Sequence, residues 1–222
     1  MKMYKLFFKI ILSIVFTFQL IYSDDNTRNI LLLEENIENN IKNYSVNSGQ
    51  INLLLSLTIA NNFYLHPKNE KIKSNSGLFG ICIGIEYFYN SKKSICLIAN
   101  STTDLIEFDI IGQYELMTSS SICISDNFKF SRIFIGYGIN YSKNTWDLRY
   151  SYSLDTPPPT REPIKKTSYS IGFMINCYYQ LSKYFYTGLT YQPHLYKINP
   201  VTKFQYEHLI RFDVLFKLKL KK

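Results

Sequence analysis

The sequence predicts an all-β protein, an up-and-down antiparallel transmembrane β-barrel of eight strands. Three observations predict it. Apolar and polar residues alternate with period two in eight segments between residues 51 and 220, the mark of strands whose two faces meet different environments. The apolar faces carry no Asp, Glu, Lys or Arg, and their ends are heavy in Tyr and Phe, as an interfacial girdle requires. The polar faces are rich in Gly, Ser, Thr and Asn, small residues that fit a crowded interior. A soluble lipocalin-like barrel would turn the pattern inside out, with an apolar core and a solvated polar face. Segments of about 10–17 residues, long for a soluble strand and suited to a tilted crossing, favour the membrane form.

Residues 1–23 come first. Lys2, Lys5 and Lys9 precede a long apolar stretch to Tyr22, then Ser23 and an acidic step, the grammar of a secretory signal peptide. The rival is an uncleaved anchor. No Cys follows the stretch, which argues against a lipoprotein. Removing three Lys and no acid lowers the formal charge from +8 to +5, too little to argue for nucleic acid. Residues 24–50 form a periplasmic segment. Ile30, Leu33, Ile37, Ile41 and Tyr44 step as an amphipathic helix would, yet the segment is equally an Asn-rich tail, and both readings stand. After residue 22 no apolar run approaches the roughly 18–20 residues of a spanning helix, so if residues 51–222 cross a membrane, they do so with strands.

The strands follow in order. In 51–65, Ile51, Leu53, Leu55, Leu57, Ile59 and Phe63 face lipid. In 77–90, Phe79, Ile81, Ile83, Ile85, Tyr87 and Tyr89 oppose Gly80, Cys82, Gly84 and Glu86. In 105–117, Ile106, Phe108 and Ile110 oppose Glu107, Asp109 and Glu115. Strand 132–142 sets Ile133, Ile135, Tyr137, Ile139 and Tyr141 against Arg132, Phe134, Gly136, Gly138 and Asn140. Strand 144–154 sets Trp146, Leu148 and Tyr150 outward against Asp147 and Arg149. Strand 167–178 turns Ile171, Phe173 and Ile175 to lipid, and strand 184–196 turns Phe185, Leu189 and Leu195 the same way. The closing strand 204–220 sends Phe204, Ile210, Phe212 and Leu218 outward and Glu207, Arg211, Asp213 and Lys217 inward. Closure is required because an open edge in hydrocarbon leaves backbone groups unpaired.

Residues 66–76, 118–127, 155–166 and 197–203 read as outer loops, and 142–144 and 180–183 as short inner turns. Residues 91–104 are long where a short turn belongs. Either the strand from 77 continues past a bulge, or residues 94–99 form a hairpin arm and the strands number ten.

The signal peptide, "LIEFDIIGQYEL", "GLTYQPHLY" and the terminal "YEHLIRFDVLFKLKL" resemble the outer-membrane β-barrel family common in Bacteroidetes, over about residues 50–220. The resemblance implies the fold and little about activity. The chain departs from proteobacterial barrels in ending "KLKLKK", without their terminal aromatic.

Small barrels can be lipid-modifying enzymes of the lipid A deacylase or palmitoyltransferase kind, which use a His with a Ser and a carboxylate. His66, His194 and His208 are the candidates. His208 points away from Glu207, His66 opens a loop, and inward His194 has Ser168 or Ser170 on the strand before it. None outweighs a structural role, so no catalytic activity is expected. The four Cys lack metal-ligand spacing, and no phosphate-cradling loop appears, so no cofactor or metal is expected. A Cys96–Cys123 disulfide is allowed for an exported chain. The charged constellation is a lumen ion-pair network: Glu86, Glu107, Asp109, Glu115, Asp147, Glu207 and Asp213 with Arg132, Arg149, Arg211 and Lys217. Buried charges need partners; a conduction path is the rival. The expected protein is a bacterial outer-membrane barrel with a filled lumen, exported through the Sec pathway, with a structural or surface-interaction role through its outer loops. Its expected partners are membrane lipid, lipopolysaccharide, the barrel-assembly machinery and a surface ligand at those loops.

Overall fold

The computed structural model describes residues 46–104, 112–151 and 162–221. They form nine antiparallel strands: β1 (Ile51–Leu65), β2 (Lys73–Gly77), β3 (Phe79–Asn90), β4 (Lys93–Thr103), β5 (Gly112–Phe130), β6 (Ile133–Ser151), β7 (Ile164–Gln180), β8 (Phe185–Asn199) and β9 (Lys203–Lys221). From β3 onward each strand pairs with the next around a ring, and β1 pairs with both β3 and β9 to close it. Both β2 and β3 lie along the same side of β1, β2 against Asn61–Leu65 and β3 against Ile51–Thr58. They are one stave broken at Leu78, so nine strands make eight staves. The ten-strand alternative is overturned. The signal peptide and the expected helix up to residue 45 lie outside the described residues; residues 46–50 form no helix and tie to β3 by Gly49 N–H to Phe88 O and Phe88 N–H to Gln50 O.

The expected elements shift in the middle of the chain. Residues 91–104 are not a loop. Asn90 Oδ1 accepts from the Lys92 backbone N–H and from Ser91 Oγ, closing a two-residue turn, and β4 then pairs along β3. The expected loop 118–127 lies inside β5, with Ile122 and Ile124 outward and Ser121, Cys123 and Ser125 inward. The true turn is Ser131–Arg132, where Ser131 adopts φ 55°, the left-handed backbone a two-residue hairpin demands. The expected turn 142–144 is mid-strand in β6, whose pairing with β5 and β7 runs through it without a register shift. A strand missed at 93–103 and a strand wrongly cut at 143 offset each other in the count.

Turns at 91–92, 131–132 and 181–184 mark a short-turn end; among the described residues, 66–72 and 200–202 lie at the opposite, long-loop end. Outward side chains between the ends form an exposed apolar belt that includes Leu57, Ile81, Ile83, Leu97, Ile122, Ile135, Ile139, Phe173, Ile175, Leu189 and Phe212. Stacked or tilted ring pairs edge it, among them Phe128–Tyr137, Tyr141–Tyr169, Phe185–Phe216 and Tyr64–His208. The inside is layered. Toward the short-turn end Leu54, Phe88, Cys96, Phe134, Tyr186 and Leu215 cluster with Val46 against them. Toward the long-loop end Phe63, Leu65, Met117, Trp146, Leu148 and Leu209 form a second cluster. A polar band separates them.

Three inward members of the second cluster correct the expected faces. Phe63 is fully buried because a bulge between Thr58 and Ala60 in the β1–β9 ladder advances the alternation by one residue. Trp146 and Leu148 turn inward because β6 keeps its phase through Lys143. Tyr184 sits exposed in the 181–184 turn.

Candidate functional site

The polar interior is built around three buried carboxylates at three heights, each facing a cation. Near the short-turn end, Glu86 on β3 accepts from Asn52 Nδ2 (3.0 Å), Ser94 Oγ (2.9 Å) and Lys217 Nζ (2.8 Å to each oxygen). Lys217 also lies 4.2 Å from the centroid of the Phe134 ring, a cation–π contact. At mid-height, Asp213 accepts from Thr58 Oγ1 (2.7 Å), Thr190 Oγ1 (3.1 Å) and Tyr178 OH (3.2 Å). The Arg211 guanidinium approaches it at 3.7 Å. Toward the long loops, Glu207 accepts from Lys197 Nζ (2.7 Å), Asn144 Nδ2 (3.1 Å) and the His66 backbone N–H (2.8 Å). In a low-dielectric interior such charges persist only when the carboxylate oxygens also meet further donors, and here they do.

These tiers bring together Glu86, Lys217, Arg211, Asp213 and Glu207 among the residues singled out in the sequence. Glu115 sits at the long-loop mouth with Lys73 and accepts from Trp146 Nε1 at 2.9 Å. Arg132 lies in the 131–132 turn, half-buried. Glu107 and Asp109 lie outside the described residues. Asp147 and Arg149 pair with each other at 2.8 Å, but on the outside of the wall and not in the lumen. The cause is again the unbroken phase of β6: Ser142 and Asn144 face in, so residues 143, 145, 147 and 149 face out.

Two interior residues escape a reading by alternation. Lys197 belongs to the face of β8 that elsewhere points outward. A register shift between His194 and Tyr196 turns it in, and no residue type announces such a bulge. Asp104 lies just past β4, beside the break between β2 and β3. It accepts from the Met117 backbone N–H (2.7 Å) and from Asn75 Nδ2 (2.7 Å), and a Cβ on Gly77 would strike its backbone at 2.2 Å.

His194 Nε2 lies 2.7 Å from Ser142 Oγ on β6, and its hydrogen bond goes there rather than to Ser170. A Ser–His pair is the nucleophile-and-base geometry, but His194 is 1% exposed and Ser142 0%. No ester could reach either. His208 stacks on Tyr64 outside the wall, 5.0 Å between centroids, back to back with inward Glu207. His66 contributes backbone to the tier: its N–H goes to Glu207 and its carbonyl accepts from Lys197 Nζ at 2.8 Å. The four cysteines form no disulfide, Cys177 outward and the rest buried. Among the described residues no group of three or more His, Cys, Asp or Glu has the arrangement of a metal site.

The first long loop is fastened over the mouth. Lys166 Nζ on β7 donates to the Lys68 carbonyl (2.8 Å) and to the Glu70 carboxylate, which holds the Glu70 carboxyl below its ordinary value of 4.5.

A closed ring of antiparallel staves, apolar outside and polar within, is the architecture of small outer-membrane β-barrels. No family model and no curated protein sequence matches the chain. Solved structures do. The attachment invasion locus protein Ail of Yersinia pestis matches with a TM-score of 0.51 at 7% identity, over 77% of this chain and 99% of that one. Neisserial surface protein A matches with a TM-score of 0.47 at 13% identity, over 76% and 97%. A major outer membrane protein from Thermus thermophilus gives 0.45 at 10%, over 77% and 99%. At these identities the likeness to Ail is a likeness of fold.

Proposed function

We propose that this chain is a bacterial outer-membrane protein of the kind common in Bacteroidetes, exported through the Sec pathway behind residues 1–23. It spans the membrane as an eight-stave barrel with a filled lumen. The observation that carries the reading is the exposed apolar belt around the ring, interrupted on β5 by Asp126, whose carboxylate accepts from Tyr89 OH at 2.9 Å, over an interior of paired charges. Water would not tolerate that exterior on a monomer, and lipid requires it. Short turns then face the periplasm and long loops the cell exterior, as in other barrels of this type. The loops at the mouth form the working surface, in a structural or surface-binding role, and membrane lipid and the barrel-assembly machinery are its partners inside the envelope. A lipid-modifying activity has no support in the buried His194–Ser142 pair.

The test is partition and refolding. The protein should fractionate with outer membranes and refold in detergent to a β-rich species that runs differently on gels before and after boiling. Recovery as a soluble periplasmic monomer would end the reading.

A further inference from the structure

Just beyond the belt, on the outer face of β5, β6 and β7, lies a hollow of about 170 Å3 lined by Thr118, Lys143, Thr145, Asp147, Arg149 and Lys165 among others. Its position is fixed by register. The last apolar row toward the long loops is Ile122–Tyr141–Ile171; the next is Ser120–Lys143–Tyr169, then Thr118–Thr145–Thr167, then Leu116–Asp147–Lys165, with Arg149 beyond. Tyr141 and Tyr169 stack at 6.2 Å across the boundary, where aromatic rings sit at headgroup height. Lys143 and Lys165 are exposed and have no ion-pair partner among the described residues. Four positions along a strand separate their rows by about 13 Å, so two lysine arms can reach one group lying over Thr145 and Thr167. Those hydroxyls are 3.2 Å apart. Asp147 is occupied by Arg149, which leaves the hollow net positive.

We infer that this hollow holds the phosphorylated headgroup of an outer-leaflet lipid against the barrel wall. The wall below it gives the acyl chains an apolar surface, and the lysines and threonines above give the phosphate cations and donors. A free anion would gain nothing from the adjoining belt, which is why the occupant is a lipid. The inference rests on the outer-membrane reading above.

The test uses the full refolded protein in phosphatidylcholine nanodiscs, titrated with bisphosphorylated lipid A, with phosphate-free lipid A and with inorganic phosphate, read by native mass spectrometry. Bisphosphorylated lipid A should be retained, and Lys143→Gln/Lys165→Gln should weaken retention roughly thirtyfold, about fivefold for each surface cation. Lys143→Arg/Lys165→Arg, which keeps both charges, should restore it. Equal retention by wild type and the Gln pair, or equal retention of phosphate-free lipid, would overturn the site. Competition by inorganic phosphate at equal concentration would reassign it to a free anion and overturn the lipid inference. Failure to refold as a heat-modifiable barrel would instead sink the membrane reading.

Discussion

At the scale of single residues, what decides a side chain's role is which face of the sheet it occupies, and one position of phase exchanges the two. Ile139 is 55% exposed on β6, between Tyr137 and Tyr141. Ile139→Arg should therefore block assembly, at a cost of about 2–4 kcal/mol near the midplane. The check is heat-modifiable refolding, and normal folding of the variant would place that face elsewhere. Gly138 on the same strand faces in, where an added Cβ would strike the Ile124 carbonyl and the Ser125 backbone; Gly138→Ala should fail by crowding and not by charge. Glu86 predicts a third behaviour. Glu86→Gln leaves Lys217 buried without its counter-charge, so the urea midpoint in detergent should fall by the equivalent of about 3–5 kcal/mol. The paired change Glu86→Leu/Lys217→Met should recover much of that loss, because an apolar pair carries no desolvation cost. If the pair is no better than the single change, hydrogen bonds from Asn52 and Ser94 matter more than the charges.

At the scale of elements, the ends of the chain are more legible than its middle. β1, β3, β7, β8 and β9 lie close to where alternation puts them, since each is bounded by polar or Pro-containing segments. β4, β5 and β6 depart from the expected bounds, and for residues 118–121 of β5 and for β6 the reason is physical. These stretches lie above the belt, where the outer face is Ser120, Thr118, Lys143 and Asp147. Beyond the belt the rule that outward means apolar lapses, and a strand carrying polar residues on both faces reads as a loop. The same lapse places Trp146 outside and Asp147 and Arg149 inside. Of the interior charges, Glu86, Glu207, Arg211, Asp213 and Lys217 are legible because β9 alternates throughout and β3 does so around Glu86. Lys197 and Phe63 are not, because a bulge has no compositional signal. The first long loop carries a pH prediction. The hydrogen bond from Lys166 lowers the Glu70 carboxyl's pKa below 4.5, so the tie is intact at neutral pH and is lost as pH falls through the lowered value. Amide exchange in residues 66–72, corrected for intrinsic pH dependence, should rise on acidification below about 4.5. Glu70→Gln should show fast exchange at every pH, and identical profiles would remove the tie from the account.

At the scale of the molecule, the interior predicts electrical silence. Two apolar clusters bound a polar band whose carboxylates are each met by a cation and further donors, and eight staves leave room for little beyond side chains. Steady single-channel currents in planar bilayers would contradict the filled lumen; none are expected.

The seam between β1 and β9 bears on time as well as shape. Thr58 and Asp213, which meet across it at 2.7 Å, are 155 residues apart in the chain. A ribosome releases β1 long before β9 exists, so one row of β1's hydrogen-bonding groups must wait unpaired. Ring closure is the step of greatest loop entropy, and until it happens the apolar belt has no continuous wall to belong to. On the membrane reading proposed above, commitment to the folded state falls to the last stave made.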